Sequence, residues 1–258
     1  MKEKAFIYTH LGLGDMFMMN GAVRFLREKY QKVFVVSKPK YKETVRSMYE
    51  DDDGIVIVVA DDADLHPWPL TSQRLVKDGF DVYGCGMFSM KPQKAIYDFP
   101  NSFYDDLDFP REVRKTHFRT PRTPAGQALY ESFQGRPYIV VHQESSTHTV
   151  PIVANLMARI LQMDQRPLIV DLNRNQVDRL KDPEGHQLVE KAIYRPFIEY
   201  AQLLEGAEEV HLVDSSIFCF AMHLDLSRVK KRVYYIRPGG HPIDNFNAFE
   251  VVADYARM

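Results

Sequence analysis

The sequence predicts an α/β protein of two doubly wound halves, each with a parallel sheet, facing each other across a cleft. Three observations lead there. Short apolar runs such as Lys32–Ser37 (Lys-Val-Phe-Val-Val-Ser) and Pro137–His142 (Pro-Tyr-Ile-Val-Val-His) read as strands buried on both faces. These runs alternate with segments of helical apolar spacing, and β-α-β-α-β order implies right-handed crossovers between parallel strands. The alternation stops in a stretch holding Pro92, Pro100, Pro110, Pro121 and Pro124 and then restarts. That break places a boundary near Pro121–Pro124 and gives domains 1–122 and 123–258.

The elements follow in order. Lys4–Thr9 is a strand and Asp15–Lys29 a helix whose apolar face carries Phe17, Gly21, Phe25 and Leu26. After the strand Lys32–Ser37, Tyr41–Tyr49 reads as a helix, stopped by Asp51-Asp52-Asp53-Gly54. Ile55–Ala60 is a third buried strand, Ser72–Lys77 a helix and Phe80–Tyr83 a short fourth strand. Residues 87–124 read as an irregular connector, packed down by Tyr97, Phe99, Phe103, Tyr104 and Phe109. The second half predicts a helix over Gln127–Phe133, the strand Pro137–His142, a helix over Pro151–Gln162 and a strand over Pro167–Leu172. Asp182-Pro183-Glu184-Gly185 reads as a turn. A helix over Phe197–Leu204, a strand over Glu209–Val213, a helix over Ser216–Leu224, a strand over Arg232–Ile236 and a terminal helix over Phe246–Arg257 complete the chain. The pattern is that of two small Rossmann-like units.

Composition narrows the function. At 258 residues, 45% hydrophobic and 26% charged, the chain is long enough for a real core. A net charge of −2 gives no basic excess that would point to nucleic acid as a bulk partner. Cys85 and Cys219 form no CxxC pair, so structural zinc is not expected. No apolar run approaches the about 20 residues needed to span a bilayer, and Met1-Lys2-Glu3-Lys4 leads into a strand without a signal-peptide pattern. The expectation is a cytoplasmic protein with no transmembrane segment.

Four loops, each directly after a strand, carry candidate chemistry. The first is His10-Leu11-Gly12-Leu13-Gly14-Asp15, a glycine turn closing on a carboxylate. Gly12 and Gly14 allow a tight strand-to-helix turn. Asp15 either caps the helix or faces the cleft as a general base. The turn is neither a dinucleotide fingerprint, since Phe17 takes the third glycine position, nor a Walker loop. The second is His142-Gln143-Glu144-Ser145-Ser146-Thr147-His148, dense in hydrogen-bonding groups and suited to lining a nucleotide. His142 and His148 also bear on metal, but their spacing is not diagnostic and no metal is expected. The third is Asp214-Ser215-Ser216, where hydroxyls and free N–H groups at a helix start suit a phosphate or ribosyl group, or simply cap the helix. The fourth is Arg237-Pro238-Gly239-Gly240-His241, either a plain turn or a place where Arg237 neutralises a phosphate. Trp68 reads as a loop anchor, and Asp51–Asp53 and Asp105-Asp106 as solvated charge.

These residues together resemble the GT-B glycosyltransferases, most closely the heptosyltransferase-like family. Ile7–Asp15 with the helix over Met16–Leu26 is similar to the family's first strand, its turn ending in Gly-Asp, and the following helix. Phe197–Ala207, Val210-His-Leu-Val-Asp-Ser-Ser216 and Phe220-Ala-Met-His-Leu224 are similar to its helix, strand, Asp-Ser-Gly turn and helix. The resemblance implies an N-terminal acceptor domain and a C-terminal donor domain. It also implies inverting, metal-independent transfer of a sugar from a nucleoside diphosphate, with no further cofactor. Asp15 would be the base, with His10, Gly12 and Gly14 beside the acceptor. His142, Gln143, Ser145, Ser146, Thr147, Asp214, Ser215, Ser216 and Arg237 would hold the donor. The implied partners are a UDP-, GDP-, dTDP- or ADP-linked sugar and a glycan or glycolipid acceptor. The chain departs from the family in having Ser216 for glycine and no lysine in the loop after His142. The alternatives are a non-catalytic nucleotide- or sugar-binding protein on the same scaffold, or a Rossmann-type oxidoreductase or epimerase.

Overall fold

The computed structural model describes residues 2–8, 12–61, 64, 68–86, 89, 91, 98–163, 165–237, 240, 243 and 247–253, with backbone only at 68 and 69. His10, Tyr97, Pro238, Gly239, His241 and the side chain of Trp68 lie outside the described residues. The chain divides into two compact units, Met1–Pro121 and Arg122–Met258.

The first unit is built on β1 (Lys2–Tyr8), α1 (Leu13–Arg27), β2 (Tyr30–Ser37), α2 (Lys42–Ser47), β3 (Ile55–Val59), α3 (Trp68–Lys77) and β4 (Asp81–Gly84). Its four strands lie parallel in the order β3-β2-β1-β4. The chain winds from β1 out to β3 and then returns to the other side of β1, so the topological switch point lies between β1 and β4. β3 is an edge strand and only Ile55 of it is buried, a correction to the expectation of a strand buried on both faces. Its continuous apolar run records high β propensity, which an edge position does not forbid.

The stretch after β4 is not irregular throughout. It forms α4 (Asn101–Asp106) and α5 (Val113–Thr116), and Phe103 and Tyr104 are wholly buried. These short helices cover the face of α1 turned away from the sheet, which is why α1 is buried on nearly every side. Tyr104 Oη donates to the Met18 carbonyl at 2.7 Å, and the Asn20 side-chain oxygen accepts from the Arg119 N–H at 2.9 Å. The acidic runs expected to be solvated are largely paired: Asp51 with Arg24 and Arg119, Asp52 with Arg27, and Asp105 with Arg111.

The second unit holds α6 (Pro124–Ser132), β5 (Tyr138–His142), α7 (Ile152–Ile160), β6 (Leu168–Asp171), α8 (Pro183–Ala192), α9 (Ala201–Glu205), β7 (Glu209–Val213), α10 (Ser216–Ala221), β8 (Lys231–Tyr235) and β9 (Glu250–Val252). The strand order is β6-β5-β7-β8-β9, all parallel. Its switch point lies between β5 and β7. Ile139, Val141, Ile152, Val153, Leu156, Val213 and Val233 form the core between the sheet and α7. Fully burying one such side chain contributes about 1.5–3 kcal/mol.

Three expectations are corrected here. Asp182-Pro183-Glu184-Gly185 opens α8: the Asp182 carboxylate accepts from Gly185 N–H at 2.9 Å, and Pro183 sits at the first helical position, where it needs no donor. The helix expected over Phe246–Arg257 is, among the described residues, the strand β9, because Val251 and Val252 find a free sheet edge beside β8. α10 ends at Ala221, three residues short of expectation.

Candidate catalytic carboxylate and nucleotide-binding loops

In open α/β sheets ligands bind beyond the carboxyl ends of the strands, at the switch point. Asp15 follows β1 at that end of the first unit's sheet, in the first turn of α1. The helix begins two residues earlier than expected, at Leu13 with Gly12 as its N-cap, so Asp15 stands in the first turn. Its Oδ2 accepts from the Gly12 N–H at 3.0 Å. Asp15 therefore does cap, as the simpler reading of this residue expects. The side chain nevertheless keeps some solvent exposure, and among the described residues no donor reaches Oδ1.

Burial pushes the Asp15 carboxyl up to about 6, against the opposing pull of the Gly12 N–H and the Lys38 charge. A carboxylate with this pKa is a stronger base than an exposed one and is still ionised near neutrality. A Cβ at Gly12 would lie 2.7 Å from Asp15 Oδ2, so a larger residue there would shift that carboxylate. Gly14 lies on the first turn of α1, and His10 falls outside the described residues.

In the second unit, the loops after β5, β6, β7 and β8 gather at one end of the sheet. His142, the last residue of β5, is 7% exposed. Its Nδ1 lies 3.3 Å from Ser215 Oγ, the residue after the β7 turn, so the two meet at the switch point. Its Nε2 lies 3.4 Å from Asn173 Nδ2. Burial drives the His142 pKa down to about 4, so the ring is neutral at physiological pH. Phe197 packs against it edge to face, ring centroids 6.2 Å apart.

Gln143 is held from below. Its Nε2 donates to Asp171 Oδ2 at 2.6 Å, and its Oε1 faces the Val153 N–H at 3.4 Å. Burial raises the Asp171 pKa, while donors from Asn173 N–H, Gln176 and Gln143 oppose the rise. The side chain of Gln143 is thus committed to shaping the loop. Ser145, Thr147 and His148 close a turn: Ser145 Oγ lies 2.8 Å from His148 Nδ1 and 3.3 Å from Thr147 Oγ1. Ser146 is exposed at its tip.

Asp214 is partly buried and pairs with exposed Arg237, Nε to Oδ2 3.4 Å. Burial holds His148 below its ordinary pKa, with the charge of Asp214 raising it and that of Arg237 lowering it. Ser215 is the N-cap of α10 but makes no side-chain capping bond; its hydroxyl turns to His142 and the Val213 carbonyl instead. Ser216 starts α10 and is partly exposed. Among the described residues no three His, Cys, Asp or Glu side chains assemble as a metal-ligand set.

Sequence reasoning missed the β6 loop. Asn173 ties it to β5, and Arg174 forms an ion pair with Glu144. Its only signal is position, a polar Asn-Arg pair directly after a buried strand.

No family model matches the chain, and no curated protein matches it in sequence. Solved structures do. A family 9 glycosyl transferase from Veillonella parvula aligns with a TM-score of 0.53 at 11% identity, over 91% of this chain and 80% of that one. The Escherichia coli ADP-heptose lipopolysaccharide heptosyltransferase II aligns at 0.50 and 13%, over 92% and 84%. No helix among the described residues is long and apolar enough to cross a membrane. The chain thus has the fold class expected from its sequence: α/β with a parallel sheet in each unit, matching the GT-B-like folds of these glycosyl transferase structures.

Proposed function

We propose that this chain is an inverting glycosyltransferase that moves a sugar from a nucleoside diphosphate to a hydroxyl of a glycan or glycolipid. The observation that carries the reading is Asp15: a carboxylate that follows β1 at the carboxyl end of the first unit's sheet, with one oxygen fixed by Gly12 N–H and a pKa of about 6. The shared fold with structures named as glycosyl transferases supports it.

In this reading the first unit takes the acceptor and the second the donor. The acceptor oxygen attacks the anomeric carbon, its proton passes to Asp15, and the bond from that carbon to the diphosphate oxygen breaks with its electrons. General-base help of this kind contributes about 10²–10⁴-fold. The leaving diphosphate gains negative charge, and positive groups aimed there lower the barrier. Arg237 and Arg174 fill the place of the absent loop lysine, each now balanced by a carboxylate, Asp214 or Glu144, that the diphosphate would displace. The proposal includes no bound metal and no further cofactor, in keeping with the family resemblance.

Nucleotide protection tests the donor half. ADP, UDP, GDP or dTDP at a hundred times its dissociation constant stabilises the folded chain by about 2.7 kcal/mol. A rise of several degrees in unfolding temperature with one of them is expected. No response to any of the four contradicts a donor site. Binding without consumption of any nucleotide sugar would favour a non-catalytic binder instead.

A further inference from the structure

The β5 and β6 loops are joined by one side chain whose orientation is fixed by its own bonds. Asn173 Oδ1 accepts from the backbone N–H of Gln143 at 3.0 Å and of Glu144 at 3.1 Å. Only an amide oxygen can accept both, so the Nδ2 end must face His142 Nε2, 3.4 Å away. An NH₂ group donates, so His142 Nε2 must be the unprotonated nitrogen. The ring is neutral, so its one proton sits on Nδ1 and is donated to Ser215 Oγ at 3.3 Å. The Ser215 hydroxyl proton then goes to the Val213 carbonyl, 3.1 Å away. What Ser215 has left to offer a ligand is a lone pair.

We propose that Asn173 is the positioning residue of the nucleotide end of the second unit, locking His142 as its Nδ1–H tautomer and Ser215 as an acceptor. An acceptor-only hydroxyl repels phosphate oxygen and selects a hydrogen-bond donor. Ser215 therefore reads a ribose hydroxyl or a base amino group, which leaves the ribosyl and not the phosphate alternative of the two that the Asp-Ser-Ser turn offered. This deepens the donor-site reading and rests on it. The diphosphate is left to Arg237, Arg174 and the backbone.

Two measurements on the full chain decide it. In chain labelled with ¹⁵N-histidine, the His142 signals, assigned by their loss in His142→Gln, are expected to show a proton on Nδ1 and a bare Nε2, unchanged from pH 5 to 8. A proton on Nε2, or titration of this ring near its ordinary pKa, overturns the positioning role. In Asn173→Asp, which keeps an acceptor for the loop amides but presents a carboxylate to Nε2, His142 is expected to take a proton on Nε2 and to titrate at higher pH. An unchanged tautomer there also overturns the role. For the ligand, Ser215→Ala is expected to weaken binding of the protecting nucleoside diphosphate about tenfold, the loss of one hydrogen bond, and to leave binding of inorganic pyrophosphate unchanged. An equal loss for both overturns the ligand assignment. No nucleotide binding by the unaltered chain removes the donor-site reading and the ligand assignment together, while the histidine spectrum still decides the positioning role.

Discussion

Asp15→Asn is expected to lower the transfer rate about 10²–10⁴-fold while leaving nucleoside diphosphate binding within a factor of two or so of the original. The asparagine oxygen can still accept from the Gly12 N–H, now 3.0 Å from Asp15 Oδ2, so the first turn of α1 keeps its cap. It cannot accept the acceptor's proton. Stability separates this loss from misfolding. Folding raises the Asp15 pKa from 3.8 to about 6, so the folded chain holds that proton more tightly than the unfolded one. The stability from the protonated form is complete below pH 3.8 and is lost as pH rises through about 6. Asparagine removes that loss. Its stability is therefore expected to match the original at about pH 4 and to exceed it at pH 8 by at most roughly 2–3 kcal/mol, read as a higher unfolding temperature at pH 8 only. Initial rates of nucleoside diphosphate release, calorimetric binding and thermal unfolding at the two pH values check the three statements. Retained turnover in a folded Asn variant removes Asp15 from the chemistry.

Gly21→Leu is expected to unfold the first unit or cost it about 3 kcal/mol or more. Glycine inside a helix is disfavoured by up to about 1 kcal/mol relative to alanine, so its presence in α1 needs a reason. The reason is α5. A Cβ at Gly21 would lie 2.4 Å from the Val113 carbonyl oxygen and 3.1 Å from the Arg114 Cα. These are backbone atoms and cannot swing aside as a flexible side chain would. Any side chain must push α5 off α1 and loosen the contacts of Tyr104 with Met18 and of Asn20 with Arg119. Denaturant unfolding followed by near-ultraviolet dichroism checks it; an unchanged midpoint contradicts the close packing.

The strands were legible because a parallel sheet covered on both faces leaves unbroken apolar runs, as in Val33–Val36 and Ile139–Val141. The start of α1 was legible to within two residues because glycine and an acid after a strand mark a helix N-terminus. α8 was missed because Asp182-Pro183-Glu184 serves equally well as a turn and as a helix start, and only the following contacts decide between them. The terminal strand was missed because Val251-Val252 is too short for its period to show, and only its pairing with the edge of β8 defines it. In the site, Ser215 looked like a helix cap. Its hydroxyl is instead claimed by His142, 73 residues away, and such a contact leaves no local trace. Asn173 had no signal at all beyond its place after a strand, since a single amide bridging two loops has no periodicity.

The pH dependence of transfer under single turnover tests the assignment of the base most directly. The rate is expected to rise with pH to a plateau, with an apparent pKa near 6 set by the buried Asp15 carboxyl, and the residual rate of Asp15→Asn is expected to lack that step. A rate independent of pH between 5 and 8 in the unaltered chain, or the same inflection surviving in Asp15→Asn, would contradict it.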